Sequence, residues 1–255
     1  MSAQRVAPGW LIASGHFFFR ARNAVFPTIF AVVALVMRPQ FIGSPRVHQG
    51  LIVLGVVVAL AGQAMRLITI GYEYIERGGK EGKVYASRLV QGGVYGLTRN
   101  PMYVGNALIA IGMTMAISAP LGYVTLIPFF VLIYAAIIAA EERYLREKFG
   151  AEYEAYCARV PRLLPSIPQL CRLMATTPYD WRTALRKDLS TVTGLSLGLI
   201  VVPLWRTWRL EGVPAARAQA SAALIGASVV LGLYWGLHQL KKRRLLFYLP
   251  DSPSS

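Results

Sequence analysis

Two clusters of polar residues interrupt an otherwise apolar chain, and their spacing suits the binding of a small charged molecule. The first is Arg99-Asn100-Pro101-Met102-Tyr103-Val104-Gly105; the second starts at Glu141-Glu142 and runs through Tyr156 to Pro165. Asn100 before Pro101 reads as a helix N-cap followed by proline at the first helical position, where the missing N–H would be unpaired anyway. The free N–H groups and positive dipole end of such a helix favour an anion, and Arg99 adds a fixed cation with a forked donor. A carboxylate would bind well there. A capped helix with Arg99 snorkelling towards headgroups accounts for the same residues. Glu141 and Glu142 close an apolar run, where a carboxylate at a hydrocarbon boundary wants a cationic partner. The plainer alternative is a helix continuing into Arg143, Arg146 and Lys148, with Glu142 and Arg146 as an i,i+4 pair. Tyr153 and Tyr156 recur at helical spacing and read as packing, while Gln91-Gly92-Gly93-Val94-Tyr95-Gly96 is a turn or a place of close backbone approach.

The elements that must hold these clusters are membrane helices. Of 255 residues, 55% are apolar and 15% charged, which is far from a soluble domain. A span needs about 20 mostly apolar residues. The sequence offers six such runs: Asn23 to Met37, Gly50 to Tyr72, Pro101 to Ile117, Leu121 to Ala140, Leu189 to Leu204 and Ala218 to Leu240. The expected fold class is therefore all-α, a polytopic transmembrane helical bundle. No cleavable signal precedes the first run, so it is expected to remain in the mature protein. The net charge of +15 lies in loops between spans, which argues for membrane topology and against nucleic acid. The stretches Arg77 to Arg99, Arg143 to Lys187 and Lys241 to Arg244 are basic, so the positive-inside rule puts them and both termini in the cytoplasm. Arg206, Arg209 and Arg217 then fall on the outer side, against that rule. Cys157 and Cys171 share the inner segment, which argues against a disulfide, and no Cys/His cluster has metal-ligand spacing, so no metal is expected.

The link Ser118-Ala119-Pro120 is too short for anything but an antiparallel hairpin. At 1.5 Å per residue its arms are about 26 and about 30 Å long, and packed helices lie about 8 to 10 Å apart. The hairpin therefore brings Arg99 to Tyr103 beside Glu141 and Glu142.

Gly93-Val94-Tyr95 with Arg99 to Gly105, followed by Glu142, Leu145, Phe149-Gly150, Tyr153, Tyr156, Val160 and Pro165, resembles the two signatures of the isoprenylcysteine carboxyl methyltransferase and phospholipid methyltransferase superfamily. The resemblance covers roughly Gln91 to Pro165. It implies that S-adenosylmethionine is held by the cytoplasmic helix ends while a lipophilic or small methyl acceptor enters from the bilayer. On that footing Tyr95, Asn100, Pro101, Tyr103, Gly105, Glu141, Glu142 and Tyr156 are expected to bind the cofactor, and Arg99 and Arg162 to orient an acceptor. Many relatives have His where this chain has Asn100, which can hydrogen-bond but cannot titrate. No catalytic histidine is assigned.

Three parts are expected: a methyltransferase core at residues 1–165 with motifs at 91–105 and 141–165, a cytoplasmic linker at 166–188, and a further hairpin with a basic tail at 189–255. Gly194 and Gly198, and Gly232 and Gly236, have the G-x-x-x-G spacing of close helix packing, which would serve the hairpin itself, a lateral lipid entrance or a dimer contact. The expected setting is a bacterial cytoplasmic membrane with the site on its inner face. Rival functions are a phospholipid N-methyltransferase, a thiol methyltransferase and a non-enzymatic scaffold or transporter. Arg66 and Gln63 are the prominent polar residues deep in a span, and Arg66 is close enough to the inner end to snorkel or face the site.

Overall fold

The structure is a computed structural model that describes residues 7–73 and 86–242. Arg77 to Tyr85 of the basic loop, and Arg243 and Arg244 of the basic tail, lie outside the described residues. Among the described residues all regular structure is helical: α1 Gly9–Val36, α2 Pro45–Tyr72, a 3₁₀ turn Gly93–Gly96, α3 Pro101–Ile117, α4 Pro120–Phe149, α5 Ala151–Arg159, α6 Ile167–Thr176, α7 Trp181–Glu211 and α8 Val213–Lys242. Four helices, α2, α4, α7 and α8, are long and apolar enough to cross a membrane, and the 17-residue α3 is apolar but shorter. This is a helical membrane bundle. All six expected spans fall on helices, with Met37 alone standing one residue past the end of α1.

The helices extend beyond most of the expected apolar runs, and two of the extensions have a clear cause. α1 starts at Gly9, not Asn23, because Arg20 and Arg22 interrupt the hydropathy without breaking a helix that arginine favours. α4 runs past Ala140 to Phe149 and stops only where Gly150 turns to φ 50°.

α2 and α3 form the largest contact, α1 lies on α4, and α7 packs on α8, α2 and α3. Glycines let α2 and α3 approach: a Cβ at Gly62 would stand 2.6 Å from the Gly105 carbonyl, and one at Gly112 would stand 2.4 Å from that of Gly55. The hairpin turn is closed by Ser118 in the left-handed region, with φ 56°.

A buried polar knot joins α2, α3 and α7. The Arg66 guanidinium pairs with the Asp188 carboxylate, donates to Asn106 and donates to Thr191 Oγ1 at 3.0 Å, while Gln63 Nε2 donates to Asp188 Oδ2 at 2.7 Å. Arg66 therefore does not snorkel: the carboxylate of α7 pairs with it inside the bundle, and of the motif residues it lies against Gly105.

At the opposite end Arg206 donates to the Ala116 carbonyl at 3.3 Å and Arg209 to that of Met37 at 3.4 Å. These are carbonyls at the C-terminal ends of α3 and α1, which lack helical partners and attract cations. That accounts for arginines on the side where the charge rule disfavours them. The G-x-x-x-G pairs do not mediate the α7–α8 contact: Gly194, Gly232 and Gly236 have nothing within 4 Å of an added Cβ, and Gly226 meets Ile200 instead. Gly212, the only residue between the two helices, sets that register.

Candidate functional site

The site forms where the head of α3, the far end of α4 and the segment after α5 converge. The Arg99 amide donates to the Pro161 carbonyl at 2.9 Å, which ties the first motif to the second through backbone. The Tyr156 hydroxyl donates to the Tyr95 carbonyl at 2.7 Å, and the Gln91 side chain bonds Glu152 at 2.9 Å and Arg159 at 3.0 Å. Tyr153, Tyr156, Cys157 and Val160 pack with Leu145 and Phe149 into the small core that holds α5 against α4.

Glu142 is the centre. It is 7% exposed and follows the apolar run of α4. Arg162 grips it with two prongs, Nε to Oε1 at 3.1 Å and a terminal nitrogen to Oε2 at 3.0 Å. This is the geometry in which a guanidinium binds a carboxylate most strongly. Arg99 stands 3.7 Å from Oε1, and Asn100 Nδ2 donates to Oε1 at 3.4 Å and to the Arg162 carbonyl at 3.1 Å. The Arg99 side chain is buried while that of Arg162 is half exposed. Burial is the largest single influence and would weaken the Arg99 charge, but Glu142, Cys157 and Tyr153 together outweigh it and hold the pKa above the ordinary value. Two cations facing one carboxylate leave this cluster with one net positive charge, suited to an anion.

One local expectation is corrected and one local alternative is not realised. Asn100 occupies the N-cap position, but its side chain makes no capping bond; it turns to Glu142 and Arg162. Glu142 does not pair with Arg146, which bonds Glu154 of α5 at 2.7 Å instead. Both side chains gain partners distant in sequence that outweigh the local ones.

The structure gathers Arg99, Asn100, Glu142 and Arg162 directly. Glu141 is next to them and accepts from the Tyr103 hydroxyl, whose ring packs near Tyr134. Tyr95 packs with Ile70, Met102 and Ala184, and Tyr156 lies inside the α5 core, so both rings already have apolar neighbours. Pro101 is buried at the first turn. Gly105 lies on the α2 face of α3, where a Cβ would meet Arg66 Cγ at 2.6 Å, so its role there is helix approach.

Sequence reasoning missed Cys157, whose thiol accepts from Arg99, and Thr98, which is fully buried beside it. Thr98 Oγ1 and Arg99 Nε are buried without a hydrogen-bond partner. Unused donors at a charged helix end fit the binding of a ligand acceptor group such as a carboxylate.

The fold and site define a helical integral membrane protein with a buried ion-pair cluster at one end of its core. Residues 48–152 match the family of phospholipid methyltransferases. The chain is 33% identical over 120 residues to a protein-S-isoprenylcysteine O-methyltransferase of Saccharomyces cerevisiae, covering 45% of this chain and 49% of that one. It is 25% identical over 168 residues to protein-S-isoprenylcysteine O-methyltransferase B of Arabidopsis thaliana, covering 65% and 81%. It is also 31% identical over 86 residues to a delta(14)-sterol reductase of Mus musculus, covering 31% of this chain and 20% of the reductase. The chain thus spans about half the length of the yeast relative and a fifth of the mouse one. No solved structure matches significantly. These similarities relate the chain to integral membrane methyltransferases.

Proposed function

We propose that the chain is an S-adenosylmethionine-dependent methyltransferase of a bacterial cytoplasmic membrane, acting at its inner face on a lipophilic or small acceptor. The observation that carries this reading is Glu142, buried between Arg99 and Arg162 at the head of α3, with Arg99 Nε and Thr98 Oγ1 unused beside it. When bound, S-adenosylmethionine supplies an activated methyl group on a sulfonium that also carries a carboxylate, an ammonium and an adenine. The positive dipole end of α3 and the Arg99 guanidinium bind the carboxylate. Glu142 accepts from the ammonium. The Tyr103 ring offers a π face for a cation. Arg162, half exposed, is the cation able to turn from Glu142 and orient an acceptor. A carboxylate acceptor is already ionised near pH 7 and needs orientation but no base. An amine or thiol acceptor would have to lose a proton, and Asn100 cannot take it. Two relatives named as O-methyltransferases support an oxygen acceptor.

The similarity to a sterol reductase favours a second reading, a reductase with a separate hydride donor. Calorimetry on the purified protein in nanodiscs separates the two. S-adenosylmethionine is expected to bind, and Glu142→Gln to weaken it at least about tenfold, or about 1.4 kcal/mol. Equal binding by the variant would remove Glu142 from the site. Binding of a reduced nicotinamide dinucleotide alone would favour the reductase, and binding of neither would favour a scaffold.

A further inference from the structure

α6 has ten residues and buries none of them. Ile167, Leu170, Cys171 and Met174 stand at i, i+3, i+4 and i+7, which puts them on one stripe of the helix. Ile167 and Met174 are exposed, as is Leu164 just before the helix, which is 75% exposed. An apolar stripe open in this way needs something to cover it.

Its place in the fold says what. The Tyr72 hydroxyl at the end of α2 donates to the Met174 carbonyl at 3.3 Å. The Asp180 amide donates to the Gly71 carbonyl at 2.9 Å, and the Tyr179 hydroxyl to that of Leu67 at 3.2 Å. α6 is thereby held at the level where α2 ends and α7 begins, at one end of the helical bundle. Charge points the same way. Between Glu154 and Asp180 the sequence has no acidic residue and three arginines, Arg159, Arg162 and Arg172. Asp180 is committed to capping α7 through the Thr183 amide at 3.0 Å. Exposed Trp181, with Arg182 over its ring at 5.5 Å, adds an aromatic anchor of the kind that sits among headgroups.

We propose that α6 is an interfacial helix whose apolar stripe seats on the bilayer surface, held there by anionic headgroups around Arg172 and Arg182. The segment that carries Arg162 runs directly into α6, so seating the helix also fixes the backbone from which Arg162 reaches Glu142. The inference rests on the membrane setting of the bundle and not on methyl transfer.

Cys171 is an exposed free thiol on the stripe, while Cys157 is buried. A nitroxide attached to Cys171 of the full chain, with Cys171→Ser as the labelling control, reads the seating directly in nanodiscs of phosphatidylcholine with or without phosphatidylglycerol. The expected result is loss of broadening by a water-soluble nickel chelate and gain of broadening by oxygen when phosphatidylglycerol is present, with Arg172→Glu reversing both. A probe that stays wet in both membranes would overturn the proposal and leave the stripe to a protein partner. A probe equally dry in both, and indifferent to Arg172→Glu, would also overturn it, since the seat would not depend on anionic lipid. Neither readout uses catalytic activity, so failure here is distinct from failure of the methyltransferase reading.

Discussion

At the scale of single residues, Arg162 and the tyrosines of α5 are informative because their surroundings differ so much. Arg162 holds Glu142 by two bonds yet is half exposed, so removing it leaves the site folded but takes away the mobile cation. Arg162→Ala is expected to raise KM for the acceptor about ten- to hundredfold, the worth of a hydrogen bond to a charged group. Steady-state assays varying each substrate in turn check this, with Arg162→Lys restoring part of the loss. Tyr153 and Tyr156 titrate well above the ordinary tyrosine value, chiefly because burial disfavours the phenolate; for Tyr153 the Glu142 and Cys157 charges add to this. Each is neutral in the folded chain when the unfolded chain ionises near pH 10. The stability they confer is therefore complete below that pH and declines as pH rises above it. Tyr156→Phe should leave the tyrosinate absorbance of the folded protein at about pH 11 unchanged, and a smaller amplitude would contradict the assignment. Much of the site was legible at this scale. Proline after Asn100 predicted a helix start, and an apolar run ending in Glu142 predicted a carboxylate in need of cations. The contacts of Asn100 with Arg162 and of Arg99 with Cys157 were not legible, because a capping bond and an i,i+4 pair are local rules while Arg162 and Cys157 arrive from elsewhere in the fold.

At the scale of elements, the Arg66–Asp188 pair joins α2 to α7 and also reaches Asn106 of α3. Breaking a buried pair from one side strands a charge and costs about 3–5 kcal/mol, whereas replacing both partners with apolar residues is close to neutral. Asp188→Asn is expected to lower thermal stability in detergent, and Arg66→Met with Asp188→Leu to recover most of it. If Asp188→Asn unfolds at the wild-type temperature, the pair does not hold α7 in place. Arg66 stood out in the sequence because its neighbours are apolar. Asp188 did not, because it follows Arg182, Arg186 and Lys187 and reads as part of a charged surface segment until the first turns of α7 are seen to lie against α2. The start of α1 was hidden for the converse reason: hydropathy registers its arginines as an interruption, but helix propensity does not.

For the whole molecule, we propose that residues 166–255 are part of the functional unit and not an appendage to a core ending at Pro165. α7 supplies the counter-charge for Arg66, which a truncated core would leave unpaired among membrane helices. A chain ending at Pro165 is therefore expected to accumulate poorly in membranes relative to the full chain, and Arg66→Leu within it to restore part of the level, as measured by quantitative immunoblotting of membrane fractions. The central claim concerns the site where the hairpin of α3 and α4 brings Arg99 and Glu142 together. Its most direct test is transfer of labelled methyl from S-adenosylmethionine, by the purified full chain, into a total lipid and metabolite extract. The prediction is a labelled product with the wild type and at least about a tenfold slower rate with Glu142→Gln. Absence of any labelled product, or an unchanged rate in the variant, would contradict it.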